Sequence, residues 1–205
     1  MRVRIALAEK WIQYEYKEEN LLEISPLLLQ MNPVHKMVPV LIHNGKPICE
    51  SLNILLYVDE VWPHRKSRPL LPSDPYQRSQ ARFWADFIDK KIYDSGKRVL
   101  MSKGKQQEEA KKEMIESLKL LEGVLGDKLY YGGEKLGLLD VAFIPFYCWF
   151  YSYETCGGFS VEAECPKLVG WVRRCKDVES VSKSLVDPLL VFDYVLQLRK
   201  RAGLE

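Results

Sequence analysis

Two stretches of this sequence combine residue types and spacing that could hold a small zwitterionic ligand. The run Pro33-Val34-His35-Lys36-Met37-Val38-Pro39-Val40-Leu41 is followed shortly by Gly45-Lys46-Pro47-Ile48-Cys49-Glu50-Ser51. A strand that enters at Pro39 leaves the Val38 backbone able to pair with an extended peptide. A cis Val38–Pro39 bond would turn those groups outward, a geometry that is uncommon even before proline. Glu50-Ser51 then follows a strand and begins a helix. The free N–H groups and the dipole of a helix start suit a ligand carboxylate, while Glu50 can accept from a ligand ammonium. A γ-glutamyl group carries both charges side by side. Taken alone, the dipeptide also fits an ordinary helix start capped by Ser51.

Other reactive residue types form no pattern. Cys49, Cys148, Cys156, Cys165 and Cys175 make no CxxC pair and no Cys/His metal spacing. Odd in number and scattered, they read as reduced cytosolic thiols, with Cys49 a small buried hydrophobe. His35 and His43 have no Cys or Asp partner spacing and read as solvent-exposed, so no metal is expected. A net charge of +2 is too near balance for a nucleic-acid surface. The stretch Arg199-Lys200-Arg201 reads as a helix C-terminus favoured by its dipole. The longest apolar run, 141–151, is too short to span a bilayer. The N-terminus alternates charge with small apolar residues, unlike a secretory signal. A cytoplasmic protein with no membrane or nucleic-acid partner is therefore expected.

The elements that must position the candidate residues follow from punctuation and periodicity. Prolines at 63, 69, 72 and 75 block helix and sheet interiors. They make 64–74 a linker between a first domain, 1–63, and a second, 75–205. In the first, 1–10 is a helix with Val3, Leu7 and Trp11 on one face, and 14–17 is a short strand. Residues 38–42 form an apolar strand, Asn44-Gly45 a hairpin turn, and 46–49 the return strand. The helix from Ser51 buries Leu52, Leu55, Leu56 and Val58.

The second domain reads as helical almost throughout. Trp84, Phe87, Ile88 and Ile92 share one helical face, and Met114, Leu118, Leu121 and Leu125 another. In Gly137-Leu138-Leu139-Asp140 the aspartate supplies half of a capping box. Residues 141–153 form one buried axial helix, around which Tyr147, Trp149, Tyr151 and Tyr153 are spread. Asp187-Pro188 opens the last helix, with Leu189, Phe192 and Leu196 inward.

A family resemblance emerges from six segments. MRVRIALAEK, NPVHKMVPVLIHNGKPICES, Tyr57-Val58-Asp59-Glu60-Val61-Trp62, FWADFIDKKIYDSG, Gly137-Leu138-Leu139-Asp140-Val141-Ala142 and IPFYCWFYSYET together resemble the tau class of plant glutathione transferases. The resemblance runs over essentially the whole chain. It implies a thioredoxin-like α/β domain followed by an all-α domain, a homodimer, and reduced glutathione as substrate. It implies that Val38 pairs with the cysteinyl backbone of glutathione, that Glu50 and Ser51 hold its γ-glutamyl end, and that Lys36 lies near its glycyl carboxylate. A small-molecule electrophile would sit near Tyr93, Lys97 and Trp149, with Pro39 and Asp140 structural.

No catalytic residue is identified. Members of the resembled family begin about 15 residues earlier, and that leader supplies the first strand and the thiol-stabilising serine. Its place falls before Met1, so a first domain truncated at the first strand, weakened and poorly active, is expected. Family members also carry lysines where this chain has Met37 and Ile24, which implies a weaker hold on the glycyl carboxylate. The implied function is conjugation of glutathione to hydrophobic electrophiles, in detoxification and stress response. The alternative is a non-catalytic protein that binds hydrophobic small molecules. A thiol-transfer or dehydroascorbate-reducing relative would need its cysteine at the start of the first helix, where Cys49 is not.

Overall fold

A computed structural model describes residues 1–20, 23–63 and 69–204. The chain divides into two compact units, Met1–Pro69 and Leu70–Glu205. Of the expected linker, 64–68 lie outside the described residues.

In the first unit, α1 (Arg2–Glu9) buries Ile5, Ala6 and Leu7. The helix ends into Lys10, whose ammonium is fully buried 2.6 Å from the Asp59 carboxylate. Trp11 does not continue the helix face as expected. Its φ is 55° and it is 73% exposed, because the chain turns there and carries the ring away from the core. A short helix α2 (Pro26–Met31) starts at Ser25, whose hydroxyl accepts from the Leu28 N–H at 3.1 Å. Strands β1 (Val40–His43) and β2 (Lys46–Cys49) pair antiparallel, with Val40 opposite Cys49 and His43 opposite Lys46. Asn44 and Gly45 have φ of 50° and 73°, the doubly positive turn that matches the twist of a two-residue hairpin.

Helix α3 (Ser51–Val61) buries Ile54, Leu55, Val58 and Asp59. Leu52 and Leu56, expected inside, are only half-buried, since Ile54 and Asp59 take the side facing α1. Two strand expectations are corrected. The first strand begins at Val40, two residues later than expected, and 14–17 are not a strand. Among the described residues the sheet has two strands, and an extended segment without a ladder neighbour forms none.

In the second unit, α4 (Pro75–Phe87) is opened by Asp74, whose carboxylate accepts from the Gln77 N–H at 2.8 Å, with Pro75 at the first helical position. It passes through a five-residue π turn, Ile88–Ile92, into α5 (Tyr93–Met101). The buried residues of this stretch include Ala85, Ile88 and Ile92, while Trp84 and Phe87 are half-buried. Helix α6 (Gly104–Leu125) buries the expected Met114, Leu118, Leu121 and Leu125.

The expected single axial helix is two. α7 (Leu138–Phe143) leads into a 3-10 turn, Ile144–Phe146, and then α8 (Tyr147–Gly157). Pro145 lies at the break: it has no N–H to donate and its ring crowds the carbonyl four residues back. Short helices α9 (Val161–Glu164) and α11 (Glu179–Ser182) flank α10 (Pro166–Lys176).

The last helix, α12 (Pro188–Arg201), starts where expected, with Asp187 accepting from the Leu189 N–H at 2.8 Å. Its inner face differs: Val191, Val195 and Arg199 are buried, Phe192 and Leu196 are half-buried, and Leu189 is exposed. Arg199, Lys200 and Arg201 lie in the last turn of the helix, as expected, and the Arg199 guanidinium donates to the Leu100 carbonyl, which draws that face inward.

Asp140 organises this unit. Its carboxylate accepts from the N–H groups of Tyr131, Gly132 and Gly137 at 2.8–2.9 Å and from the Trp171 indole at 2.7 Å. Phe143 stacks on Trp171 at 5.0 Å beside it. Burial pushes the Asp140 pKa up, and the four donors oppose that shift.

Candidate functional site

The start of α3 gathers the first group of candidate residues. Glu50, not Ser51, is the cap residue, and Ser51 is the first residue of the helix. Glu50 has φ of 70° and its side chain bonds no N–H of the helix it opens. A non-glycine residue held at positive φ is a strained arrangement that clusters at ligand sites. The first helical bond runs from the Ile54 N–H to the Glu50 carbonyl at 2.8 Å. The N–H groups of Ser51, Leu52 and Asn53 therefore have no helical partner. The Ser51 hydroxyl accepts from the Arg2 guanidinium at 3.0 Å, which leaves its own proton free to be donated and sets a positive charge alongside. The Glu50 carboxylate, 60% exposed, lies 3.6 Å from the His35 imidazole.

The hairpin register carries Val38 to the same place. With Val40 opposite Cys49, the residues beyond the ladder, Pro39 and then Val38 on one strand and Glu50 and then Ser51 on the other, fall at the same end of the hairpin. The Val38–Pro39 bond is cis, and Val38 is 45% exposed. Among the described residues, neither its N–H nor its C=O has a hydrogen-bond partner. Buried Asn32 pins the loop before it, donating to the Met37 carbonyl at 3.0 Å and accepting from the His35 N–H at 3.1 Å.

Lys36 is exposed at φ 55°, and Met37 and Ile24 are exposed as well. Cys49 is half-buried, not buried, with its thiol 3.7 Å from the Met31 carbonyl. His35, Asn32 and Arg2 are absent from the sequence-derived site. Only Asn32 carried a local signal, as the Asn-Pro step that opens a turn.

The second group lies on α5 and α8. Tyr93 and Lys97 stand one turn apart on α5 and are both exposed. Gly96, between them, is buried against Tyr153 of α8. Trp149 is half-buried and lies nearly parallel to Tyr153, with ring centroids 6.5 Å apart at 23°. The structure thus sets Tyr93, Lys97 and Trp149 around a single Gly96–Tyr153 contact. The π turn ends at the residue before Tyr93, and such turns recur at functional sites. Among the described residues no group of three or more His, Cys, Asp or Glu could hold a metal ion. No helix among them is long and apolar enough to cross a membrane.

A hairpin and helices in a first unit, with an open helix start beside a cis-proline loop, and helices alone in a second define a thioredoxin-like domain followed by a helical domain. Comparison with known proteins gives this class its family. The N-terminal domain model of glutathione S-transferases matches residues 1–60, and the C-terminal domain model matches 78–177. A probable glutathione S-transferase, parA, of Nicotiana tabacum is 67% identical over 204 residues, covering 100% of this chain and 92% of the relative. Glutathione S-transferase U25 of Arabidopsis thaliana is 57% identical over 205 residues, with the same coverage of each chain. Rice GST1, solved in complex with glutathione, superposes with a TM-score of 0.93 at 49% identity, over 98% of this chain and 91% of its own. The tau-class enzyme of mango gives 0.90 at 41% identity, over 96% and 92%. The chain belongs to the glutathione S-transferase family, within its tau class.

Proposed function

We propose that this protein binds reduced glutathione in its first unit and conjugates it to hydrophobic electrophiles. The observation that carries this reading is the open start of α3, where unbonded N–H groups stand beside an outward carboxylate. Those N–H groups and the Ser51 hydroxyl, with Arg2 behind it, take the γ-glutamyl carboxylate, and Glu50 accepts from its ammonium. The Val38 N–H and C=O pair with the cysteinyl backbone, and Lys36 approaches the glycyl carboxylate. The rice relative solved with glutathione bound supports glutathione as the ligand. In the reaction the glutathione thiolate attacks the electrophilic carbon. A C–S bond forms, the halide or other leaving group departs with its electron pair, and the thiol proton passes to solvent. A free thiol has a pKa near 8.5, so conjugation depends on the thiolate fraction.

Tyr93, Lys97 and Trp149 receive the electrophile through an aromatic, partly exposed surface of the second unit. The exposed Tyr76 and Phe83, two turns apart on the outer face of α4, support a homodimer. An odd, scattered set of five cysteines without a CxxC pair supports a cytoplasmic protein. A second reading, binding of hydrophobic compounds without conjugation, draws on that aromatic surface alone. Retention on immobilised glutathione, together with turnover of a chromogenic aryl halide, separates the two. Retention and turnover that both fall in Glu50→Gln support conjugation. Turnover that is absent while aromatic compounds still bind supports the second reading.

A further inference from the structure

Tyr153 has no role assigned so far, yet it lies beside Trp149 and against the part of α5 that carries Tyr93 and Lys97. It is 3% exposed, and among the described residues its hydroxyl makes no hydrogen bond. Among the described residues the fully buried side-chain oxygen without a partner is Ser152 Oγ, so the Tyr153 hydroxyl keeps some access to solvent and its proton is open to a ligand. The ring occupies space that a side chain on α5 would otherwise fill. A Cβ added to Gly96 would lie 2.6 Å from the Tyr153 hydroxyl oxygen. That glycine stands between Tyr93 and Lys97, so the hydroxyl reaches the stretch of α5 that carries both. Trp149 lies parallel to the same ring, one turn earlier on α8. Burial, with Tyr93 close by, holds the phenol pKa above its ordinary value, so the group stays protonated at neutral pH and can donate.

We propose that the Tyr153 hydroxyl is a hydrogen-bond donor of the electrophile site, and that it selects electrophiles carrying an acceptor such as a carbonyl or nitro oxygen. This rests on the reading that Tyr93, Lys97 and Trp149 receive the electrophile. The aromatic rings supply an apolar surface that accepts many aryl compounds. The Tyr153 hydroxyl among them discriminates by chemistry, because an acceptor replaces the water that the hydroxyl gives up and a hydrocarbon does not. Gly96 is the positioning residue: with no side chain, it lets the phenol reach this face.

The test compares the parent protein with Tyr153→Phe on two electrophiles, 4-phenyl-3-buten-2-one, which carries a carbonyl, and benzyl chloride, which carries no acceptor. An unreactive pair, acetophenone and ethylbenzene, is measured by calorimetry. For Tyr153→Phe, kcat/KM with the enone falls by about twofold to tenfold, and acetophenone binding weakens to match. Benzyl chloride turnover, ethylbenzene binding and KM for glutathione stay unchanged, and Tm does not fall, because no bond to the protein is lost. Gly96→Ala, which displaces the ring, removes the same preference for acetophenone.

The proposal is overturned if Tyr153→Phe affects both members of each pair equally or neither of them. A marked drop in Tm, which would reveal a protein partner, or a parent with no preference for acetophenone also overturns it. A parent that conjugates neither electrophile sinks the conjugation reading, while the calorimetric pair still decides the role of Tyr153.

Discussion

Glu50 and Asp140 are both acidic residues at the start of a helix, and the protein uses them in opposite ways. Asp140 is fully buried and both of its oxygens are engaged, by three N–H groups and an indole. Glu50 is largely exposed, caps no N–H, and sits on a backbone with φ of 70°. In the second unit the carboxylate is spent on holding a loop, a helix start and α10 together. In the first it is left available, beside N–H groups that also lack partners. The number of donors already bound thus separates a structural acid from a candidate ligand contact, although both stand at a helix start.

The sharpest way to break this contrast is to remove Asp140. Asp140→Ala strands four donors, each costing about 1–3 kcal/mol when buried and unsatisfied. A loss upwards of about 4 kcal/mol is a large share of the ~5–15 kcal/mol that holds a domain folded. Urea unfolding should show the helical unit losing its cooperative transition under conditions where the parent is native. The first unit has its own buried charge, in the Lys10–Asp59 pair. Asp59→Leu removes the carboxylate opposite a buried ammonium and should cost about 3–5 kcal/mol, most of it recovered in the double variant with Lys10→Met. If the double variant is no better than the single one, the pair is not what the burial indicates.

Glu50→Ala should do the reverse of Asp140→Ala. Stability should barely change, because the carboxylate bonds no N–H of the helix, while glutathione affinity measured by calorimetry falls about tenfold or more. A large drop in Tm would place Glu50 with Asp140 and end the contrast. A smaller gain comes from the other end of the ligand. Ile24→Lys with Met37→Lys should tighten glutathione binding by up to about tenfold at low salt and by less as salt screens the added charges.

The smallest effect concerns surface carboxylates of the second unit. Hydrogen bonds from Lys167 and Lys183 hold the pKa values of Asp127 and Glu179 below the ordinary carboxylate range. Because the folded-state pKa is the lower one, the stabilisation is present above that range and is lost as pH falls through the depressed values. Both groups are fully exposed, so Tm should drop only slightly on this account, and Asp127→Asn with Glu179→Gln should flatten that part of the profile.

The sequence by itself determined the features closed by bonds within a few residues. Asn44-Gly45 specified the hairpin, Asp187-Pro188 the start of α12, and Gly137 to Asp140 one of the four bonds to that carboxylate. The 3.6-residue period of Met114, Leu118, Leu121 and Leu125 specified the inner face of α6. Pro145 also carries a local signal for the break between α7 and α8, which the apolar run around it masks.

Only the tertiary structure decided the rest. Residues 14–17 have strand-forming types but no neighbour to pair with, and pairing is not a property of one segment. The face that α12 buries depends on where the Leu100 carbonyl stands to receive Arg199. Asp140 meets Trp171 because α10 packs beside it, and meets the N–H groups of Tyr131 and Gly132 because the preceding loop folds back onto it. The Tyr153 hydroxyl reaches α5 because Gly96, 57 residues earlier in the chain, leaves room for its ring. Local bonding is written in neighbouring residues, whereas burial and partner choice are set by segments far apart in sequence that share the same space.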